Sequence, residues 1–460
     1  MTDSKYPSAQ QAHQWKKQSQ LRSSSSLADD ELDNNNAETS NHNYFAAPVL
    51  ADNTVKEEEE EEVKSLELQA SSPHLFSAGL VADVQYAPIP DGYSFSGNPR
   101  YYQYALDVAK HAFAHFNQDA NIDDDDDDGH PHAIELVLNL GDTIDGKCQD
   151  LAQYDGDPEV ISEAGDDPGM YAMNHVLDAM AQYTKGPILH TYGNHCLYNM
   201  DRKQLQDKLG IPFVKEPKIG NQEGDDDGHE LVGYYSHLHK GIRFITVDSY
   251  DVGMLQRCPN TSEKRKQAES ILRQHNPNYF KDDQMNSPEG MVDLEKRFVG
   301  FNGAAGEIQL KWLAETLEDA RQAKEKVIIL SHQPIFPGSS NVVCLMWNYD
   351  EVLSVLRKFS DIVVASLSGH AHKGGYNRDP ESGIHFRVVE AVLENKPEKT
   401  YAIVNVHENE LVIRGFGNCQ SAVYDFKHLS GKWTPPLESE SHSSATDSAS
   451  IPSEQTQQSK

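Results

Sequence analysis

The sequence predicts an α/β fold of layered sheet and helices that closes on a β-rich stretch. Three observations carry this. Short apolar, β-branched runs recur from about residue 76 onward. Helical periodicity fills the gaps between several of them. After about residue 385 the strands continue without helices between them, so the last part adds sheet rather than another crossover.

The elements follow in order. Residues 76–84 form the first predicted strand, and Tyr102, Leu106, Ala109, Phe113 and Phe116 then share one helical face. A second strand is expected over 134–140. The next helix carries Met173, Val176, Leu177 and Met180 on its apolar side. Strands over 188–192 and 242–247 follow. Leu310, Leu313 and Leu317 mark a helix before a strand over 327–330. Val352, Leu353, Leu356 and Phe359 mark another before 362–367, and strands over 385–389 and 401–406 end the series.

The 460 residues exceed one ordinary core, and the hydrophobic fraction of 37% is low for a chain that folds throughout. Residues 1–72 hold Ser23–Ser26, Asn34–Asn36 and the glutamates 57–62 with few apolar residues, and are expected to be a disordered tail. Residues 433–460 have the same character, so 73–432 is the expected folded region. The net charge is −32. It excludes a nucleic-acid backbone or an anionic membrane surface as partner, since both would be repelled. Much of it lies in runs such as Asp123–Asp128 and Asp225–Asp227, which read as solvated insertions rather than cation sites. No apolar run approaches the ~18 residues of a membrane-spanning helix. The first twenty residues lack a secretory apolar region. None of the five cysteines form a C-x-x-C pair. A reduced, cytoplasmic protein is expected, with an organellar transit peptide as the alternative.

Five segments follow predicted strands, where α/β folds place their loops and sites: Asp83-Val84-Gln85, Gly141-Asp142-Thr143-Ile144-Asp145, Gly193-Asn194-His195, Ser331-His332 and Gly369-His370-Ala371-His372. Taken singly, each reads as an ordinary capping or hydrogen-bonded residue. Together they supply carboxylate, amide and imidazole donors suited to Mn²⁺, Zn²⁺ or Fe rather than Ca²⁺. A carboxylate such as Asp142 can bridge two cations. Two cations ~3.5–4 Å apart activate water and neutralise phosphoryl oxygens.

This series, in this order, resembles the calcineurin-like metallophosphoesterase superfamily, whose pattern is D-x-H, G-D-x-x-D, G-N-H-D/E, H and G-H-x-H. The resemblance implies a metallophosphoesterase-type β-sandwich flanked by helices. It implies that Asp83, Gln85, Asp142 and His372 hold one metal, and that Asp142, Asn194, His332 and His370 hold the other. His195 would bind phosphate and protonate the leaving oxygen. Two positions depart from the pattern. Gln85 replaces a histidine, an oxygen donor that shifts the site toward Mn²⁺ or Mg²⁺. Cys196 stands where an acid usually follows the histidine. Asp145 stands where purple acid phosphatases need a tyrosine, which disfavours that branch.

A narrower resemblance, to the manganese-dependent ADP-ribose/CDP-alcohol diphosphatases, rests on the Ala82–Tyr86 run with Gln85, on Asp91–Phe95 and Arg100–Tyr102, and on residues 141–146, 191–195, 275–278, 286–290, 301–304, 341–349 and 369–376. It implies hydrolysis of the diphosphate bond of ADP-ribose, CDP-choline, CDP-glycerol and related nucleotides, with two divalent ions, Mn²⁺ ahead of Mg²⁺ or Zn²⁺. Arg100, at the start of a predicted helix, is a candidate for the second phosphate. Phe95 and Tyr93 are candidates for base stacking. Cys344 is a candidate for the pocket wall, and Trp347, Asn348 and Tyr349 for the nucleoside side. A monomer is expected. The alternatives are a phosphomonoesterase, a cyclic-nucleotide phosphodiesterase or a protein phosphatase on the same fold, or a non-catalytic scaffold. The scaffold expects lost ligands, whereas every ligand position here holds a metal-competent side chain.

Overall fold

The computed structural model describes residues 72–94, 97–119, 132–212, 214–217, 229–255, 262–282 and 284–429. Phe95, the Asp123–Asp128 run, Asp225–Asp227 and both expected tails apart from Ser72 lie outside them.

Twelve strands build two six-stranded sheets. The first contains β1 (His74–Val81), β2 (Ile134–Asn139), β3 (Ile188–His190) and the last three strands of the fold, β10 (Tyr401–His407), β11 (Glu410–Phe416) and β12 (Ala422–Asp425), in the order β12-β11-β10-β1-β2-β3. The second contains β4 (Tyr235–His239), β5 (Ile242–Val247), β6 (Lys326–Ser331), β7 (Val363–Ser368), β8 (Gly375–Arg378) and β9 (His385–Val388), in the order β8-β9-β7-β6-β5-β4. β1, β2 and β3 run parallel, as do β5, β6, β7 and β9. The late β-rich stretch is where the chain returns. β10 pairs antiparallel with β1 and carries β11 and β12 as a meander.

Alternation along the strands sets the layers. In β6, Ile328 and Leu330 join the core between the sheets, while Val327 and Ile329 face an outer helical layer. That layer is α5 (Glu307–Gln322) and α6 (Tyr349–Lys358), which contribute Leu313 and Leu317, and Val352 and Leu356. On the other side, α1 (Tyr102–Phe116) and α2 (Pro168–Met180) cover the first sheet with Ala109, Phe113 and Phe116, and Met173 and Val176. Asp167 starts α2 by accepting the Met170 N–H, with Pro168 at the first helical position. Two further helices enter below, α3 (Asn194–Asn199) and α4 (Glu263–His275). The polar sequence of α4 hid it, because only Lys264, Ala268 and Leu272 are buried.

Register places the site. Val81 pairs with Asn139, and Asn139 with His190. In the second sheet Val247, Ser331, Ser368 and Val388 are level. The parallel strands of each sheet therefore end together, and their loops leave from one edge.

Candidate metal centre

The five segments singled out in the sequence all emerge at these level strand ends. β1 stops at Val81, short of the predicted 84, because Asp83 and Gln85 take left-handed backbone with φ 53° and 44°. Asp142 and His370 do the same at φ 52° and 67°. Such geometry costs on the order of 1–3 kcal/mol per residue and persists where surrounding bonds hold it. Here the loops clamp one another: Asp83 N–H donates to Gly141 O at 3.2 Å, Gln85 N–H to Asp142 O at 2.8 Å, and Gly369 N–H to His332 O at 3.0 Å. Space is equally tight. A Cβ on Gly193 would sit 1.9 Å from Asp142 Oδ1, so only glycine lets α3 begin there.

The donors converge. Ligand atoms of Asp142, His332 and His370, all buried, lie within 4.8 Å of one another. Asp142 Oδ2 stands 3.2 Å from His332 Nε2. Its Oδ1 accepts the backbone N–H of His195 at 2.8 Å. Asp83 Oδ1 is 3.5 Å from His372 Nε2 and 3.9 Å from His332 Nε2. Asn194 Oδ1 is 3.3 Å from His332 Nε2 and accepts the Tyr250 hydroxyl at 3.1 Å. Gln85 reaches the cluster with its amide nitrogen, 3.0 Å from both Asp142 Oδ2 and His372 Nε2, while its oxygen faces Arg100 at 3.4 Å. To ligate through oxygen the amide turns over.

The cluster balances its charge internally. Burial raises the Asp142 carboxyl, but the His332 and His195 charges outweigh burial and hold it well below the carboxylate range. Burial lowers His332, yet Asp142 and Asp83 push it up to about 9. Burial and the neighbouring His332 keep His370 neutral, well below its ordinary value. A buried nest of two carboxylates among three imidazoles, with Gln85 and Asn194 amides at its margin, fits divalent cations of the Mn²⁺ or Zn²⁺ type.

Around this nest lie supporting groups, of which the sequence singled out Asp145 and Cys196 but not Glu394. Glu394 accepts from His372 Nδ1 at 3.1 Å and pairs with Arg100 at 3.5 Å and Lys373 at 3.1 Å. Burial raises Glu394, but hydrogen bonding and charge from His372, with Arg100, bring it down to about 2. Asp145, 3.1 Å from His195 Nδ1, takes the place of the missing acid after the histidine. Burial raises Asp145 and the His195 charge and hydrogen bond pull it below the usual range. The same Nδ1 lies 2.9 Å from the Gly146 N–H. A neutral ring with its proton on Nε2 accepts there, and a ring protonated on Nδ1 donates to Asp145 instead. Cys196 is buried and accepts the Thr143 N–H at 3.2 Å, and burial pushes its thiol up to about 12.

Arg100 joins the site, with its guanidinium against His372 Nδ1. Cys344 is half-buried and within electrostatic reach of Asp83, Arg100 and Glu394; burial pushes its thiol up to about 12, so it is no nucleophile. Phe95 lies outside the described residues, and its neighbour Tyr93 is 72% exposed. Trp347 and Asn348 hold structure instead. The Trp347 indole is buried and donates to Val299 O at 3.2 Å, and the Asn348 amide bonds the Ala305 backbone from both sides.

A family model described as calcineurin-like phosphoesterase matches residues 80–374, from the end of β1 to just past His372. The chain belongs to that family. It is 37% identical over 351 residues to the manganese-dependent ADP-ribose/CDP-alcohol diphosphatase of Oryza sativa subsp. japonica, covering 75% of this chain and 92% of that protein. It is 34% identical over 363 residues to the Homo sapiens protein of the same name, covering 78% and 95%. Among solved structures it resembles a dimetal phosphatase from Danio rerio, with a TM-score of 0.63, 29% identity, and coverage of 77% of this chain and 100% of that one. The narrower resemblance drawn from Gln85 and the later motifs is therefore the one these relatives carry.

Proposed function

We propose that this chain is a metal-dependent hydrolase that splits the diphosphate bond of ADP-ribose, CDP-choline, CDP-glycerol and related nucleotides. The observation that carries the reading is the convergence of Asp142, His332 and His370 at the level strand ends, in a chain whose relatives share the diphosphatase name over nearly their whole length. We assign Asp83, Gln85, Asp142 and His372 to one divalent cation, and Asp142, Asn194, His332 and His370 to the other, with Mn²⁺ preferred over Mg²⁺ or Zn²⁺. The bound cations supply positive charge against the phosphoryl oxygens and acidify water.

The chain's own groups do the rest. His195, with its side chain 27% exposed beside the nest, contacts the phosphoryl group and delivers a proton to the leaving oxygen. Asp145 accepts the Nδ1–H hydrogen bond both in the protonated ring and in the neutral ring left once Nε2 has given up its proton, so the ring keeps its plane through the transfer. Arg100 reaches the second phosphate, and Cys344 lines the wall beside it; we assign Phe95 to the base on sequence alone. The products are two phosphomonoesters, with water adding across the anhydride.

The test is a panel of ADP-ribose, CDP-choline, CDP-glycerol, cyclic AMP and p-nitrophenyl phosphate, assayed after chelator stripping and Mn²⁺ addition. The two diphosphate classes are expected to lead in kcat/KM. A lead for cyclic AMP or p-nitrophenyl phosphate would replace this reading with a phosphodiesterase or phosphomonoesterase.

We also place the catalytic unit in residues 73–432 and the protein in the cytoplasm as a monomer. Among the described residues no helix is long and apolar enough to cross a membrane, and Cys148, Cys196, Cys344 and Cys419 are free thiols. Ser72 donates to Glu410 at 3.4 Å and its carbonyl meets His407 at 3.0 Å, so a truncation should retain it. Deleting 1–71 and 433–460 is expected to leave the melting temperature and kcat/KM nearly unchanged, because those segments hold too little apolar surface to dock. A large fall in either quantity would show that they are part of the catalytic unit.

A further inference from the structure

Asn302 is fully buried, precedes Gly303 in a tight turn, and touches the nest at His370. Its amide nitrogen faces three backbone carbonyls: Val343 O at 2.6 Å, Arg297 O at 2.9 Å and Leu345 O at 3.2 Å. A nitrogen with two hydrogens suits that triad, and an oxygen would meet three acceptors. The orientation of the amide is thereby set, and its oxygen must point the other way. There it lies 2.8 Å from His370 Nε2. An amide oxygen only accepts, so the single proton of a neutral His370 sits on Nε2. The lone pair is left on Nδ1. Phe301 packs on the same ring, with centroids 5.6 Å apart, and restricts its plane.

We propose that Asn302 is a positioning residue that sets the tautomer and plane of His370, so that Nδ1 is the atom offered to a cation. The proposal rests on the functional reading above. It adds a link between the two parts of the site, because two of the three carbonyls that orient Asn302 belong to residues 343 and 345, on either side of Cys344. The segment assigned to the substrate wall and the ligand assigned to one metal share one buried amide. Partners of this kind typically alter metal affinity by ~10–100-fold.

The test uses the full chain and Mn²⁺ alone as probe. Binding isotherms and metal analysis compare the parental protein with Asn302→Leu, which keeps the branched shape and removes the acceptor to His370 together with the amide donor. One ion is expected to bind within about threefold of the parental affinity, and the other ~10–100-fold more weakly. ADP-ribose turnover should fall at low Mn²⁺ and recover at high Mn²⁺, a rescue that general misfolding would not show. Two ions bound at parental affinity, or both weakened alike, would overturn the inference. A parental chain that binds no Mn²⁺ overturns the functional reading and this inference together, whereas a variant that matches a two-metal parent overturns only the inference. If Asn302→Leu fails to fold, ring-¹⁵N histidine labelling of the metal-free parental chain decides, with His370 assigned by His370→Gln. A proton on Nε2 supports the proposal, and a proton on Nδ1 rejects it.

Discussion

The two sheets bring different chemistry to one edge. Every donor after the first sheet's strands is a carboxylate or an amide: Asp83 and Gln85 after β1, Asp142 after β2 and Asn194 after β3. Every donor after the second sheet's strands is an imidazole: His332 after β6, and His370 and His372 after β7. Neither sheet holds a complete site. Close pairs cross the seam, as with Gln85 and His372 at 3.0 Å, Asp142 and His332 at 3.2 Å or Asp83 and His372 at 3.5 Å. The lesson is that the centre is a property of the packed sandwich. In the proposed site, oxygen donors from one layer would carry the negative charge, and nitrogen donors from the other would tune which metal is held.

The sharpest way to break this arrangement is at the residue that faces both assigned metal positions. Asp142→Ala removes the carboxylate whose Oδ2 meets His332 and whose Oδ1 holds the His195 backbone. Both cations should be lost, and turnover should fall by at least ~10³-fold, or ~4 kcal/mol of transition-state stabilisation. Metal analysis beside single-turnover kinetics checks it. Two retained metals with substantial activity would mean that the layers do not share a bridging ligand.

The same comparison explains what could be read from the sequence. The ligand loops were legible because each follows an apolar strand signal, and parallel strands of one sheet end at one edge. Strand 242–247 matched residue for residue, since its apolar run is bounded by Gly241 and Asp248. The supporting groups were not legible. Glu394, Asn302 and Tyr250 come from a short turn, the turn before Gly303 and the loop after β5, far in sequence from the residues they touch, and no periodicity marks them, although Asn302 lies within the 301–304 segment. Asp145 lay inside a recognised motif, yet its partnership with His195 depends on how α3 packs against the loop after β2. Two nucleoside-side candidates, Trp347 and Asn348, failed for another reason. An aromatic such as Trp347 after a functional histidine looks the same in sequence whether it faces substrate or the core.

The seam can also be probed away from the metal. His190 ends β3, is buried, and accepts from the Asn139 amide at 3.0 Å. Its backbone is bonded by the hydroxyl of Tyr235 on β4, in the opposite sheet, at 2.9 Å. Burial lowers the His190 pKa from 6.5 to about 4. A histidine depressed on folding is neutral in the fold and charged in the unfolded chain below 6.5. Stability is therefore present above pH 6.5 and drains away as pH falls toward 4, by at most ~3 kcal/mol at ~1.4 kcal/mol per pH unit. Urea titrations at pH 7.5 and 4.5 should show His190→Gln losing less stability on acidification than the parental chain. Parallel losses would place the acid sensitivity elsewhere, with His385, also lowered by burial to about 4, as the next group to test.

The mildest change tests the division of donors itself. Gln85 is the one position of the first sheet where the wider family pattern has a nitrogen ligand. It is fully buried at φ 44°, a conformation that histidine tolerates better than most residues, so Gln85→His can be accommodated by the backbone. The exchange supplies a nitrogen donor and leaves Asp142, His332 and His370 in place. Oxygen donors favour Mn²⁺ and Mg²⁺, and nitrogen donors favour the later metals. The variant should shift the ratio of Zn²⁺ to Mn²⁺ affinity at one site by on the order of tenfold, or ~1.4 kcal/mol, and leave the other site alone. The structure frames the competing outcome, because Gln85 meets Asp142 and His372 through its amide nitrogen. If that hydrogen bond is its whole role, both proteins, stripped and titrated back with Mn²⁺, Mg²⁺ and Zn²⁺, will give the same activation curves and the same bound metal. A shift confined to one site would instead show that the amide turns its oxygen to the cation, and that this single side chain keeps the first sheet an oxygen layer.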